Sequence, residues 1–220
     1  VADVTYTTNR SSTTDIAGIQ GVNIDLNSEN GITQSGAITA TSLDVTNAAT
    51  GNVVLANGSN DVDSLTVINT TRAITYSDSD DVILNQLDGS PITINAGGNV
   101  TQVSTIQGTD LIVTAGGEID LDTVVNSVDT FTATSTDSDI TLSTNQPLVV
   151  AAAGIDAGLG NIGLTVTNGS LTQVGELTGA SLALIITDGD VVLDNALNDV
   201  DSIAALVEGT NRSFTFNDKD

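Results

Sequence analysis

The chain has 220 residues, 39% of them apolar, with 28 acidic residues against four basic ones and no His, Cys, Met or Trp. A net charge of −24 argues against nucleic acid or an anionic membrane surface as partner, because both need clustered Lys and Arg. Lack of Cys excludes a disulfide framework and a thiolate metal site, and lack of His excludes Ser-His nucleophilic catalysis.

The apolar residues are nearly all Val, Ile, Leu and Ala; the aromatics are Tyr6, Tyr76, Phe131, Phe214 and Phe216. A core of small branched side chains predicts a thin, regular interior. Of the acids, 24 are Asp and 4 are Glu. Asp bonds nearby backbone and tolerates tight turns, so the bias predicts many turns. No apolar run approaches the roughly 18 residues of a membrane helix, so no membrane insertion is expected. No signal-like segment opens the sequence, which therefore reads as a mature segment or an excised piece.

In chain order, TTNR at 7–10 looks like the tail of a preceding copy, which would run through 1–31. Residues 32–45 read ITQSGAITATSLDV, 100–113 read VTQVSTIQGTDLIV and 171–184 read LTQVGELTGASLAL. The Thr-Gln pairs begin at 33, 101 and 172, which sets long repeats at about 32–99, 100–170 and 171–220, the last incomplete. Each copy continues into a short strand (Val53–Leu55, Ile119–Leu121, Val191–Leu193) and then into NDVDSL at 60–65, NSVDTF at 126–131 and NDVDSI at 198–203. TTRAITYSDSDD at 70–81 is echoed by TNRSFTFNDKD at 210–220.

Inside each long repeat, apolar-x-apolar triplets recur about every 8–12 residues with Gly, Asn, Asp and Ser between them, which is a strand signal. Between the first two Thr-Gln pairs they are Leu43/Val45, Val53/Leu55, Leu65/Val67, Ile74/Tyr76, Val82/Leu84 and Ile92/Ile94. No stretch sustains a helical stripe. Open-ended repetition, uniform strands and a small aliphatic interior predict one all-β parallel solenoid over 1–220, a slice of a longer array. At about 20 residues per coil it holds roughly ten or eleven coils, ~50 Å of axis at ~4.8 Å per strand.

A family resemblance rests on Gly36-Ala-Ile38-Thr-Ala40-Thr-Ser-Leu43-Asp-Val45, with Gly175-Glu-Leu177-Thr-Gly179-Ala-Ser-Leu182-Ala-Leu184 following the same pattern. Both resemble the G-x-L-x-A-x-x-L-x-L coil of filamentous-haemagglutinin-like adhesins; the middle copy has Ser104 where the pattern has Gly. The resemblance implies a right-handed parallel β-helix from a large exported bacterial surface protein.

Three kinds of chemistry can be weighed. Polysaccharide hydrolysis needs carboxylates at a fixed separation, for which Asp61/Asp63, Asp78/Asp80/Asp81, Asp120/Asp122 and Asp199/Asp201 are candidates. Sugar grooves also use aromatic platforms, which are scarce here, and a Ser-Lys pair would have to use Lys219, so the expectation is no enzyme. Ca²⁺ binding is the sharper possibility, with candidate ligands Asp61, Asp63, Asp78, Asp80, Asp81, Asp188, Asp190, Asp199, Asp201, Asp218 and Asp220. No EF-hand loop is present, and neither Gly97-Gly98 nor Gly116-Gly117 continues into a Ca²⁺ nonapeptide.

The repeated hexapeptide discriminates. Asp61 and Asp199 correspond to Ser127, whereas Asn60/Asn126/Asn198, Val62/Val128/Val200 and Asp63/Asp129/Asp201 persist. That favours a coil corner over a chelate, with Asn in positive φ, Asp capping a free N–H and Val buried. Gln34, Gln102 and Gln173, at one phase, suggest an internal amide network, and Arg10, Arg72 and Arg212 are expected to pair with acids such as Asp78 or Asp218.

The functional expectation is a non-catalytic segment of a bacterial cell-surface or secreted protein, a stalk, fibre or coat element with no required cofactor. Partners would be further copies, end to end or lateral, or a host-cell or neighbour-cell surface or glycan. The alternative is a Ca²⁺-dependent adhesion module.

Overall fold

The computed structural model describes residues 1–9, 12–48, 50–69 and 72–219. These residues form one 22-stranded sheet in which every strand pairing is parallel. No helix occurs among them, and so none is long and apolar enough to cross a membrane.

The strands stack in two columns. One begins with Val4–Thr8, Asn23–Ser28 and the later part of Ile32–Asn47, and ends with Leu177–Ile186 and Asp199–Val207. The other begins with Thr14–Gln20, the early part of Ile32–Asn47 and Val53–Leu55, and ends with Val191–Leu193 and Phe214–Phe216. The chain alternates between columns strand by strand, so each coil contributes one strand to each. Each column holds eleven strand positions, with Ile32–Asn47 counted once in each and Ile106–Gln107 counted with Val100–Gln102, since both pair with Val82–Asp88; Leu177–Ile186 belongs to the first column through 181–186 and reaches the second through 177–178. The expected solenoid of about ten coils is therefore the observed fold.

Alternation along each strand explains the triplets. The inward residues of successive coils lie in register and form ladders of like side chains. In one column Val82, Val100, Ile119, Ile140, Ile162 and Leu182 stack in line, all at 0–1% exposure. In the other, Leu55, Tyr76, Ile94, Val113, Ala133, Ile155 and Leu177 do the same. Each such aliphatic side chain contributes about 1.5–3 kcal/mol by leaving water. Removing a ring from this narrow interior would leave a void; adding one would meet a neighbour less than 5 Å away along the axis.

The long repeat relates to the columns in a way the residue period conceals. The Thr-Gln strands Ile32–Asn47, Val100–Gln102 and Leu171–Gln173 are the fourth, eleventh and eighteenth strands along this alternating path. A repeat is therefore seven strands, or three and a half coils. Because seven is odd, successive copies place the same motif in opposite columns: Gln34 pairs with Ile16 in one, Gln102 with Leu84 in the other, and Gln173 with Val150 back in the first.

The same count gives the strand positions of the chain's two ends. Val4–Thr8 is the first strand position, Ile74–Asp78 the eighth, Ile140–Thr144 the fifteenth and Phe214–Phe216 the twenty-second. The sequences VTYTT, ITYSD, ITLST and FTFND agree with that assignment. TTNR at 7–10 overlaps the end of the first strand, whereas TTR at 70–72 precedes the eighth position, so the match of their letters is one of composition. Arg10, the basis of that match, lies outside the described residues.

Candidate functional site

The persistent polar residues of the repeat meet inside the solenoid. Asn60, Asn126 and Asn198 are fully buried, each at 0% exposure. In the middle copy Gln102 Nε2 donates to Asn126 Oδ1 at 2.9 Å, and Asn126 Nδ2 donates back to Gln102 Oε1 at 2.9 Å. Gln173 and Asn198 form the same reciprocal pair at 2.8 and 2.9 Å. Gln34 and Asn60 repeat it, with the return bond at 3.2 Å.

Each Asn also ties down backbone. Its Oδ1 accepts from Ile38, Ile106 or Leu177 N–H at 2.9, 2.8 and 3.0 Å. Its Nδ2 donates to the carbonyl of Leu55, Leu121 or Leu193 at 3.2, 2.9 and 3.3 Å. The Gln amide closes the loop by donating to Gly36, Ser104 or Gly175 carbonyl oxygens at 2.8, 2.8 and 2.7 Å. Buried amides are stable only when satisfied in this way. The expected Gln network is thus present, and its partner is the Asn of the opening motif.

The corner expectation needs two corrections. The three Asn are not in the left-handed region; among described non-glycine residues that region holds Asp137 (φ 51°) and Asn211 (φ 58°). Their side chains turn inward to the Gln, and a normal backbone suffices. Asp63, Asp129 and Asp201 are exposed and do not cap the corner. The buried N–H of Val62 is instead capped from the next strand by Asp78 Oδ2 at 3.2 Å, and that of Val128 by Thr144 Oγ1 at 3.3 Å. Asp78 and Thr144 hold equivalent positions, so the corner needs an acceptor and accepts either a carboxylate or a hydroxyl.

Asp78 is 5% exposed. Its carboxylate also accepts from the Tyr76 hydroxyl and from Asp80 N–H. Burial pushes it up to about 6, opposed chiefly by the Tyr76 hydrogen bond. Burial, and then the charge of Asp78, hold the Tyr76 phenol far above its ordinary range.

The remaining Ca²⁺ candidates lie apart or have protein partners. Asp63, Asp80 and Asp81 border one open groove of about 420 Å³ with Val82, Ile83, Asn99 and Thr101. Asp81 there accepts from Asn99 N–H at 2.6 Å. Asp199 and Asp201 border a second groove, and Lys219 is bonded to Asp199. Asp188 pairs with Arg212. Asp190 accepts from Ser213 N–H and Oγ at 2.8 and 3.0 Å, which holds its carboxyl below the usual range, aided by the Arg212 charge. Asp61 is exposed, Asp218 accepts from Lys219 N–H at 2.9 Å, and Asp220 lies outside the described residues. Asp122 is raised by burial and by the adjoining Asp120. Among the described residues no three acidic side chains form a group that could hold a metal ion. Arg212 thus takes Asp188 instead of the expected Asp218, and Arg72 makes no ion pair among the described residues.

A family model described as "Repeats of unknown function (DUF5649)" matches residues 71–137. That segment spans the strands from Ile74–Asp78 through Thr130–Ser135, which are the eighth to fourteenth positions. The matched segment thus covers seven strand positions, as one structural repeat does, with Ile106–Gln107 counted together with Val100–Gln102. The match supports a repeat family and carries nothing specific to filamentous-haemagglutinin-like adhesins. Neither the curated proteins nor the solved structures yield a match.

Proposed function

We propose that the chain is a non-catalytic structural segment of a bacterial cell-surface or secreted protein, serving as a stalk, fibre or coat element in the manner of the filamentous-haemagglutinin-like adhesins. The observation that carries this reading is where the repeat places its persistent polar residues. Asn and Gln of all three copies close interior staples, while the outward position that follows the Asn varies between Asp61, Ser127 and Asp199. What is repeated is a device for adding coils. A solenoid adds length in proportion to its repeats, since each coil contacts only its neighbours. Antibody raised against the chain should label intact, unpermeabilised cells or the culture medium; labelling only after permeabilisation would sink the proposal.

A second reading, a Ca²⁺-dependent adhesion module, would use Asp63, Asp80 and Asp81, which border one open groove without forming a metal-holding group. Ca²⁺ bound there would relieve repulsion between stacked acids and raise the melting temperature by mass action. The test is melting in millimolar Ca²⁺ against NaCl of equal ionic strength, with Asp80→Asn/Asp81→Asn as control. A rise specific to Ca²⁺ and lost in the variant establishes it; equal curves dismiss it.

A further inference from the structure

Three Asn-Gly steps occur in the chain, at Asn30-Gly31, Asn57-Gly58 and Asn168-Gly169. At such a step the glycine nitrogen can approach the side-chain carbonyl carbon of the asparagine, because the backbone is free and no Cβ stands in the way. The fold treats the three differently. Gly31 is packed against the next coil, where a Cβ on it would stand 2.8 Å from the Asn52 carbonyl oxygen, and Asn30 Oδ1 accepts from Thr50 Oγ1 at 2.7 Å. Gly169 N–H donates to the Asp188 carbonyl at 3.0 Å, and a Cβ there would stand 2.6 Å from Pro147 Cγ. Gly58 has neither restraint. A Cβ on it would meet nothing within 4 Å, and among the described residues its N–H has no hydrogen-bond acceptor.

The Asn57 side chain is oriented for the same approach. In the turn over 57–60, Asn60 N–H donates to the Asn57 carbonyl at 3.0 Å and Ser59 N–H donates to Asn57 Oδ1 at 3.0 Å. This turn folds the side-chain carbonyl back over the Gly58 backbone and draws electron density from Cγ. Among the described residues Asn57 Nδ2 donates to nothing. The third copy builds the same turn, with Leu197 N–H donating to Asn195 Oδ1 at 3.0 Å and Asn198 N–H to the Asn195 carbonyl at 3.2 Å. There Ala196 replaces the glycine, and Asn195 Nδ2 is held by the Val174 carbonyl at 3.0 Å.

We propose that Asn57 is a self-modifying site, which deamidates in the folded protein ahead of the other asparagines and loosens one of the three amide staples. Gly58 N gives its proton to water or hydroxide and attacks Asn57 Cγ; the side-chain nitrogen leaves as ammonia and a five-membered succinimide remains. Water then opens the ring at one carbonyl or the other, giving an aspartate or an isoaspartate at position 57. One water is taken up and one ammonia released, with no change of oxidation state. The consequence reaches the interior through Gln34, whose Oε1 accepts from Asn57 N–H at 3.3 Å and from Asn60 Nδ2 at 3.2 Å. An isoaspartate lengthens the turn by one backbone atom, and either product adds a negative charge to a chain already at −24. The staples at Gln102 and Gln173 are untouched.

The test is to hold the purified chain at mildly alkaline pH and physiological temperature, then map it by mass spectrometry with isoaspartate labelling. Modification at Asn57 should precede that at Asn30, Asn168 and Asn195. In urea, where the fold no longer separates them, Asn30 and Asn168 should react as fast as Asn57. Gly58→Ala, at a position open enough to leave the fold intact, restricts the backbone by roughly 1 kcal/mol and should slow the reaction about fivefold. Hydrogen exchange in the modified protein should quicken at Ile38 N–H, which Asn60 Oδ1 accepts at 2.9 Å, and stay unchanged at Ile106 and Leu177. Equal rates at the three Asn-Gly steps in the folded chain, or a folded Asn57 that stays intact while the unfolded one reacts, overturn the proposal. Unchanged exchange at Ile38 after full modification overturns the loosening of the staple.

Discussion

Asn126 and Gln102 hold each other in a closed ring of two hydrogen bonds, each amide donating to the other at 2.9 Å inside the solenoid. The two are unequal in what they leave behind. Removing Gln102 leaves Asn126 bonded to Ile106 N–H and the Leu121 carbonyl. Removing Asn126 takes the partner from both backbone groups and from Gln102 Oε1, while Gln102 Nε2 keeps the Ser104 carbonyl. With about 1–3 kcal/mol per buried group left without a partner, Asn126→Ala should cost ~3 kcal/mol or more and Gln102→Ala about 1–2. Urea unfolding of the two variants measures this; equal losses would mean that the ring does not anchor the backbone.

Asp78 makes stability depend on pH in an unusual direction. Its folded value, near 6, lies above the ~3.9 of an unfolded Asp, so between about pH 4 and 6 the folded state keeps a proton that the unfolded state releases. The stability contributed by protonated Asp78 is therefore complete below pH 4 and lost as pH rises towards 6. Thr144 fills the equivalent corner without titrating. Melting temperatures of the wild type and Asp78→Thr should converge or cross as pH rises through this window. Parallel curves would show that Asp78 does not titrate there.

Gly36 and Gly175, which open the shared coil pattern, are required by close approach between coils. A Cβ at Gly36 would stand 2.1 Å from the Ala17 carbonyl oxygen, and one at Gly175 would stand 2.3 Å from that of Ala151. At Gly58 a Cβ would meet nothing within 4 Å. Gly36→Ala should therefore cost about 1–3 kcal/mol by overpacking, while Gly58→Ala should be neutral or stabilise by up to about 1 kcal/mol through the unfolded chain. Thermal melts of the pair decide the matter; similar values would mean that the coil spacing adjusts.

The fold was legible because a parallel solenoid writes its coil into the sequence. Val53/Leu55 and Ile119/Leu121 show both strand and inward face, and Gln34, Gln102 and Gln173 mark one phase. The amide ring was half legible. Its two members stand 24 to 26 residues apart, and period alone does not say that Gln102 and Asn126 meet. What could have pointed to it is that Asn persists where Asp61 yields to Ser127, a sign of a partner that reads an amide and not a charge. The inward turn of Asp78 was hidden, because SDSDD looks like a solvated acidic run; only the Tyr two residues earlier, needing a partner for its buried hydroxyl, signals otherwise. The alternation of copies between columns could have been read from the six triplets that separate Thr33-Gln34 from Thr101-Gln102.

That alternation supports a prediction about excision. If the two columns differed in the side chains they accept, a seven-strand repeat could not be removed, since every later strand would change column. They do not differ in this respect. The Thr-Gln strand occupies one column at Gln34 and the other at Gln102, with its Asn partner in place both times. Deleting Thr101–Leu171 joins Val100 to Thr172 and restores an apolar-Thr-Gln strand at the junction. The shortened chain should fold as a solenoid three and a half coils shorter, about 17 Å at ~4.8 Å per coil. Small-angle scattering should show that loss of maximum dimension, with an unchanged strand signature in circular dichroism. An unfolded or aggregated product would mean that the columns are distinct, and that two repeats are the smallest unit that can be removed.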